Sequence, residues 1–532
     1  MAACAVFLLC VLSLQHAVVV IANNVVKRAA LTDLSEGFCR SWKFGANIVN
    51  DVLYMIDLDG GIIPGDEDGS NNYLVELDLT SAFSTDDGSK YRMSLVDSSV
   101  PKLKDQALWS DKANTTLYSY GGRGASDTSA DEGLWTYTIK NQEWKLQQAS
   151  IKPVRLVGGA YTNAPDIQAA YWLGGYQSSD TTLSITDKTV DYAAGMIQFN
   201  TTTGVFTQLD APFTPVQQGA LVYIPVGEQG ILVYVGGEVP SVQEGINATL
   251  TPNAWDYVQV YDIAADKWYK QTTTSSVSSR TEFCAVVEKD PSSSSYQVYV
   301  IGGADFRSND VLYDVSYLSI PSFKWYRAGS LDEGRMSLTC APYGRQIFGI
   351  GGRLAWADDS EAGCYDMPAF VYDSVSEVVR EEFDPALSIY SVPSATADDI
   401  HDSPYPASWA DPALASLFIS PTNSTNSTGS ASKENKDTGV NKGPIIGGVV
   451  GGVVGALMLL ALIFAFIWYR RRKGKRQGGY PAEVQLNRDD DNLVGVELPA
   501  QSATSELEGS TERSELMAGE VHELDGGGSR IK

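Results

Sequence analysis

Histidine is nearly missing from this chain, with 3 in 532 residues. His16 lies in an apolar N-terminal run, His401 in a Ser/Thr/Pro-rich stretch and His522 near the C-terminus. None falls between Cys39 and Pro393, where the sequence is patterned. That gap removes imidazole from the patterned region and disfavours Ser-His-Asp and Cys-His catalysis there. Carboxylate pairs for acid–base work remain available, but no spacing singles one out. Positive charge is also short: 39 Lys and Arg against 65 Asp and Glu give a net charge of −26, which repels polyanions and argues against nucleic acid as a partner. Methionine numbers only 8, beside 27 Tyr, 11 Trp and 49 Gly, a balance that suits many short strands and tight turns.

Cysteine is sparse as well, 6 in all. Ala2–Ala22 is almost wholly apolar and ends in small residues, so residues 1–22 read as a secretory signal peptide although no Lys or Arg precedes the apolar core. Cys4 and Cys10 leave with it. Lys27-Arg28, in the segment 23–37, is a dibasic pair suited to a secretory-pathway protease or simply a solvated pair. Cys39, Cys284, Cys340 and Cys364 remain, an even number that suggests two disulfides in an oxidising compartment. Three pairings are open. The local one, Cys340 with Cys364, is favoured and leaves Cys39 with Cys284; closing a loop of about 25 residues contributes on the order of 3–4 kcal/mol in the chain-entropy model.

Long apolar runs are absent except at one further place, Gly443–Tyr469. The uncharged stretch 444–469 reaches roughly 39 Å as a helix, enough for a hydrocarbon core of about 30 Å. "RRRKGKR" (Arg470–Arg476) follows at once, which keeps that end cytosolic and implies a single-pass type I protein in the plasma membrane or a secretory-pathway membrane. Sequons at Asn114, Asn200, Asn247, Asn423 and Asn426 all precede this run, in keeping with that topology. Gly447, Gly451 and Gly455 make overlapping G-x-x-x-G units suited to a homodimer of spans, although glycine is also common in spans generally. Residues 470–532 lack the apolar content for a core and are expected to be a disordered tail, in which a recurring Glu-Leu pair is a candidate docking motif for a cytosolic partner. Residues 396–443 read as a flexible, glycosylated stalk.

Glycine is plentiful, and it is placed with regularity. Strand-like runs end in Gly-Gly at Gly60-Gly61, Gly121-Gly122, Gly174-Gly175, Gly236-Gly237, Gly302-Gly303 and Gly351-Gly352. The spacing is roughly 50–65 residues, the mark of a repeat architecture. A second strand follows each pair, ending in a small polar residue with a bulky residue six positions on: Thr138 and Trp144, Asn200 and Phe206, Asp262 and Trp268, Ser319 and Trp325, Asp373 and Val379. In the first unit the bulky residue, Phe83, comes one position early. A polar turn-former and then an aromatic is what a hairpin of two sheet strands requires. Each unit is too small to bury both faces alone, so radial stacking would let the sheets shield one another, with Gly-Gly where a side chain would collide with the next sheet.

An apolar run, Gly-Gly, a later Tyr/Val-Asp and a Trp six beyond resemble the kelch repeat over about residues 39–393. "FCRSW", "SIPSFKWYRAGS" and "TCAPYGRQIFGIGG" are further similar to fungal secreted or membrane-anchored kelch proteins of the galactose-oxidase-like class. The resemblance implies an all-β propeller over 38–395, of six blades with seven as the alternative. Galactose oxidase holds copper with two His and two Tyr, a set this region cannot supply. "STDDGSKY" (Ser84–Tyr91) is similar to one sialidase Asp-box, yet a turn capped by Asp86 accounts for it. Asp66, Glu67 and Asp68 form an acidic loop without the register of a calcium loop. The expected function is therefore a non-catalytic surface propeller, without cofactor or metal, that binds a protein or glycan, with a role in wall contact or polarity implied by the resemblance. The alternative is a carboxylate-dependent carbohydrate-active enzyme. A structural wall-linked spacer is a third reading.

Overall fold

The computed structural model describes residues 43–57, 73–97, 99–101, 103–124, 133–153, 155–274, 277–308, 310–354 and 367–419. These residues are almost entirely strand and turn, and they form six four-stranded antiparallel sheets, each a meander of consecutive strands. Sheet 1 is Gly45–Val49, Val52–Asp57, Tyr73–Asp78 and Tyr91–Leu95. Sheet 2 is Lys104–Ser110, Thr116–Arg123, Leu134–Thr138 and Glu143–Gln147. Sheet 3 is Ala160–Ala164, Ala169–Leu173, Met196–Asn200 and Val205–Leu209. Sheet 4 is Ala220–Ile224, Ile231–Val235, Tyr257–Asp262 and Lys267–Thr272. Sheet 5 is Cys284–Lys289, Tyr296–Ile301, Asp314–Ile320 and Lys324–Ser330. Sheet 6 is Thr339–Tyr343, Gln346–Ile350, Ala369–Asp373 and Val378–Arg380.

The first strand of every sheet lies against the first strand of the next, and that of sheet 6 lies against that of sheet 1. The arrangement is a closed ring, the geometry of a propeller. Six hydrophobic clusters fill the six seams between neighbouring sheets. Burial on both faces explains the composition of the second strands: Ala169–Leu173, Ile231–Val235 and Gln346–Ile350 are buried throughout. Such strands read as unbroken apolar runs because no face meets water. Fourth strands lie at the rim and alternate, as in the largely exposed Glu143–Gln147.

The Gly-Gly pairs recur at the end of the second strand in sheets 2 to 6; the first pair, Gly60-Gly61, lies outside the described residues. Gly174 has φ +64°, and a Cβ there would stand 2.2 Å from the Val216 carbonyl oxygen of the next sheet's entry. Gly302 repeats this, with φ +62° and 2.3 Å to the Arg335 carbonyl. The following glycine then donates its N–H to the same carbonyl, Gly175 to Val216 at 2.8 Å and Gly303 to Arg335 at 2.7 Å. Gly-Gly is thus the hinge by which one sheet grips the next.

The polar-then-bulky phrases are the hairpins of third and fourth strands. Trp144 pairs across the ladder with Tyr137, Phe206 with Phe199, Trp268 with Tyr261, Trp325 with Leu318 and Val379 with Tyr372. The polar residue caps the turn: Asp262 Oδ1 accepts from the Ala264 and Ala265 amides, and Asp373 Oδ1 from Val375 and Ser376. Sheet 1 departs from this scheme. Phe83 pairs with Phe383 in a two-residue bridge, Phe83–Ser84 with Glu382–Phe383, and its ring packs on Phe383, so it ties the first repeat to the last instead of facing a hairpin partner. The cap in "STDDGSKY" is Asp87 rather than Asp86: Asp87 Oδ1 accepts from the Ser89 amide at 3.1 Å, opening the single turn Gly88–Lys90.

Two expectations are corrected. Cys340 bonds to Cys284, not to Cys364. Both lie on first strands, in sheets 5 and 6, and adjacent first strands bring their Cα atoms to 5.6 Å; the 56-residue separation is one repeat. Cys39 and Cys364 lie outside the described residues. The stretch read as stalk from 396 begins as part of the folded unit. Helix α1 (Ser394–Asp402) buries Ile400 against sheets 5 and 6, and helix α2 (Pro412–Phe418) buries Leu414 among Phe323 and Trp325 of sheet 5. The apolar stretch 444–469, its glycines Gly447, Gly451 and Gly455, and the tail lie outside the described residues, among which no helix is long and apolar enough to cross a membrane.

Candidate functional site

Every first strand is entered through one residue in the left-handed region: Lys43, Asp105, Gly158, Gln218, Glu282 and Ser337, with φ between 52° and 70° as 60°, 65°, 69°, 54°, 54° and 57°. These six form a hydrogen-bonded circle around the axis. The amide of Asp105 donates to the Lys43 carbonyl (3.1 Å), Gln218 to Gly158 (2.7 Å), Glu282 to Gln218 (3.1 Å), Ser337 to Glu282 (2.7 Å) and Lys43 to Ser337 (2.9 Å). The remaining link is a side chain: the Gly158 amide donates to Asp105 Oδ2 at 2.9 Å. Five non-glycine residues hold a backbone conformation that costs each of them of order 1 kcal/mol or more, and the circle of bonds over-determines it.

Their side chains converge on the axis. Lys43 Nζ donates to Gln218 Oε1 at 3.0 Å and Asp105 Oδ2 at 3.3 Å, and stands 3.8 Å from Glu282 Oε1. Glu282 Oε2 also accepts from Ser337 Oγ and, at 3.3 Å, from Arg353 Nη2. The group is largely withdrawn from solvent, with Lys43 and Asp105 12% and Glu282 10% exposed at the side chain. Burial pushes the Glu282 carboxyl up, but Lys43, Arg353 and Ser337 outweigh it and hold it below the usual range. Burial likewise pulls the Lys43 ammonium down, and Asp105 and Glu282 more than restore it, so it stays charged. Two cations face two carboxylates.

This cluster lines an axial cavity of about 140 Å³ together with Tyr161 and Thr339. Beyond it a cavity of about 360 Å³ continues between the first strands, walled by Asn47, Leu108, Asn163, Val222, Val286 and Pro342. Cys340 borders both cavities and Cys284 the first, so the disulfide lies at the axis.

The same end of the ring carries the connections between second and third strands, the long ones. In sheets 3 and 4 these carry secondary structure of their own. Tyr176–Gln177, Val190–Tyr192 and Glu244–Gly245 make a three-stranded sheet joining the two connections, and Glu238–Pro240 pairs with Leu250–Pro252. At their base, buried Glu238 accepts from Gln217 Nε2 at 2.6 Å, and burial raises its carboxyl above the usual range. The opposite end has short turns apart from the connection 79–90 of sheet 1, and there the C-terminal segment docks: the Val392 amide donates to Asp290 Oδ2 at 3.0 Å and the Ala410 amide to Gln271 Oε1 at 2.9 Å.

No family model matches the chain. A Kelch repeat-containing protein of Arthroderma benhamiae is 28% identical over 388 residues, 63% of this chain and 56% of that protein. The chain is similar to a kelch repeat protein. It spans a little over half the length of that curated relative. Among solved structures, that of YjhT matches with a TM-score of 0.45 at 14% identity, covering 64% of this chain and 97% of that one.

The residues singled out in sequence fall as follows. Asn114 is in the turn between the first two strands of sheet 2, Asn200 caps the hairpin of sheet 3, and Asn247 is exposed in the connection of sheet 4. Asn423, Asn426 and the acidic loop Asp66-Glu67-Asp68 lie outside the described residues. His401, the one histidine among the described residues, is exposed in the last turn of α1, beside Asp402. Among the described residues no group of three or more His, Cys, Asp or Glu gathers to hold a metal ion. The axial circle was not foreseen. Its signal is a small residue two positions after each left-handed one, Gly45, Ala107, Ala160, Ala220, Cys284 and Thr339, which reads as ordinary loop sequence until the ring is closed.

Proposed function

We propose that this chain is a six-bladed, kelch-type extracellular or lumenal propeller, anchored by one membrane span at 444–469, that binds a protein or glycan ligand without catalysis. The ligand surface is the end of the ring bearing the long connections. The observation that carries the reading is the charge-satisfied axial circle beneath those connections: its carboxylates are occupied by Lys43 and Arg353, which favours a rigid platform over an acid–base site. Helices α1 and α2 dock away from the long connections, against sheets 4 to 6. Surfaces assembled from several loops on a rigid scaffold suit large ligands.

The test is a glycan-array and surface-protein binding screen with residues 29–419, which retain both docked helices. Selective binding that fails when the sheet 3 and sheet 4 connections are exchanged for short turns supports the reading. Glycoside hydrolysis by the same fragment, abolished by Glu282→Gln, would establish the carboxylate enzyme instead. Copper-dependent peroxide production would overturn both.

A further inference from the structure

The connection of sheet 4 rises as the hairpin Glu238–Pro240 with Leu250–Pro252, and its tip is clamped where the Ser241 amide donates to the Thr249 carbonyl at 2.8 Å and the Thr249 amide to Ser241 Oγ at 3.0 Å. Within the tip, Glu244–Gly245 pairs with Val190–Tyr192, and the Tyr192 amide donates to the Gln243 carbonyl at 2.7 Å. The loop is therefore held in place, yet it presents Val242 at 47% and Ile246 at 56% exposure. Two branched apolar side chains on a fixed, projecting loop are left largely uncovered by the described residues. Ile246 is followed at once by the sequon Asn247-Ala248-Thr249.

Of the three described sequon asparagines, Asn247 alone is exposed. Asn200 is half-buried with its Oδ1 accepting from the Thr202 and Thr203 amides, and half-buried Asn114 sits at φ 55° with its carbonyl accepting from Asn50 Nδ2. We propose that Asn247 carries an N-linked glycan whose inner sugars cover Val242 and Ile246. The inference rests on the extracellular or lumenal reading of this unit. In the transfer, Asn247 Nδ2 bonds to the anomeric carbon of a lipid-pyrophosphate-linked oligosaccharide. The anomeric C–O bond breaks, the lipid pyrophosphate leaves with its electron pair, one amide proton is lost, and nothing is oxidised or reduced. Pyranose rings present C–H faces that pack on aliphatic side chains while their hydroxyls stay in water, so the glycan resolves an apolar exposure that a soluble surface does not favour.

The full chain, expressed in a glycosylating eukaryotic host and purified in detergent whose dye signal is subtracted with protein-free micelles at the same concentration, is mapped by mass spectrometry after enzymatic glycan release. Asn247 is expected to appear as Asp, and Asn247→Gln and Thr249→Ala to abolish that site while Thr249→Ser keeps it. Apolar-dye fluorescence is expected to rise about twofold in both site-less variants and to return to baseline when Val242→Ser and Ile246→Ser are added. An unmodified Asn247 beside occupied Asn114 or Asn200 overturns the inference and leaves the lumenal reading intact. No occupancy at any sequon overturns both. Occupancy at Asn247 with unchanged dye fluorescence in Asn247→Gln overturns the covering role.

Discussion

The Lys43 amide donates to the Ser337 carbonyl at 2.9 Å, so the entry of sheet 1 closes the circle on the entry of sheet 6. The same residue sends its ammonium to Asp105, Gln218 and Glu282, touching the entries of sheets 2, 4 and 5. Removing it opens the circle electrically without changing the backbone bond. Lys43→Met is expected to cost about 3 kcal/mol, the lower range for stripping one partner from a buried ion pair. A double-mutant cycle with Glu282→Gln should recover much of that loss in denaturant unfolding. An additive cycle would show that the two charges act independently.

The glycine hinges make a second prediction. Gly174→Ala places a methyl 2.2 Å from the Val216 carbonyl at a φ of +64°. Left-handed strain alone costs about 1–3 kcal/mol, and the collision must also push sheet 4 away from sheet 3. Gly204→Ala, left-handed in a hairpin turn and close only to the far end of Gln147, is the control. The expected order in thermal melts is Gly174→Ala well below Gly204→Ala below wild type.

These hinges also show what the chain discloses before folding. Gly-Gly after an apolar run is readable because the cause is local: both faces of the second strand are buried, so the run has no polar interruption, and the turn that follows touches another backbone. The hairpin pairs, such as Phe199 with Phe206, are readable for the same reason, being neighbours in sequence and in space. Cys284 and Cys340 were misassigned because proximity in sequence favours the short loop, whereas a ring brings together residues one full repeat apart. The axial cluster is harder still. Lys43, Asp105, Gln218 and Glu282 come from four repeats and share no residue type, so only closure makes them neighbours. The docked helices were hidden because each is short and buries a single residue, Ile400 in α1 and Leu414 in α2, too little for a helical period to show.

The disulfide assignment is directly checkable. Proteolysis without reduction should yield a peptide pair joined through Cys284 and Cys340. Replacing both by serine is expected to cost about 2–5 kcal/mol, within the usual range for a native bridge. Recovery of a Cys340–Cys364 peptide would contradict the observed arrangement of the two first strands.

Two buried carboxyls give opposite pH signatures. Glu282 titrates below its ordinary value of 4.5, so its contribution is full above that value and is lost as the pH falls through its folded value. Glu238 titrates above 4.5, because burial favours the neutral acid, so it costs stability as the pH rises from 4.5 through its folded value. Glu238→Gln is therefore expected to flatten the fall in melting temperature between pH 4.5 and neutrality. Glu282→Gln should be most damaging near neutrality and progressively less so in acid. Parallel melting curves for Glu238→Gln and wild type between pH 4.5 and neutrality, or for Glu282→Gln and wild type below pH 4.5, would refute the assignment.

The C-terminal segment supplies the last prediction. Leu414 is fully buried from α2 against Phe323 and Trp325, and Trp409 stacks on Phe418 beside the same hairpin of sheet 5. The Asp411 carboxylate caps α2 at the Ala413 amide and pairs with Lys267 of sheet 4, so the helix clasps two neighbouring sheets. Leu414→Ala is expected to destabilise the unit by about 2–4 kcal/mol, the range for a buried leucine. A fragment ending at 402 lacks the clasp and exposes the apolar floor of sheets 4 and 5, so it should melt lower and self-associate, whereas one ending at 419 should remain monomeric. Equal stability of the two fragments would mean that the segment is an outlying stalk after all, and that the seam between sheets 4 and 5 is complete without it.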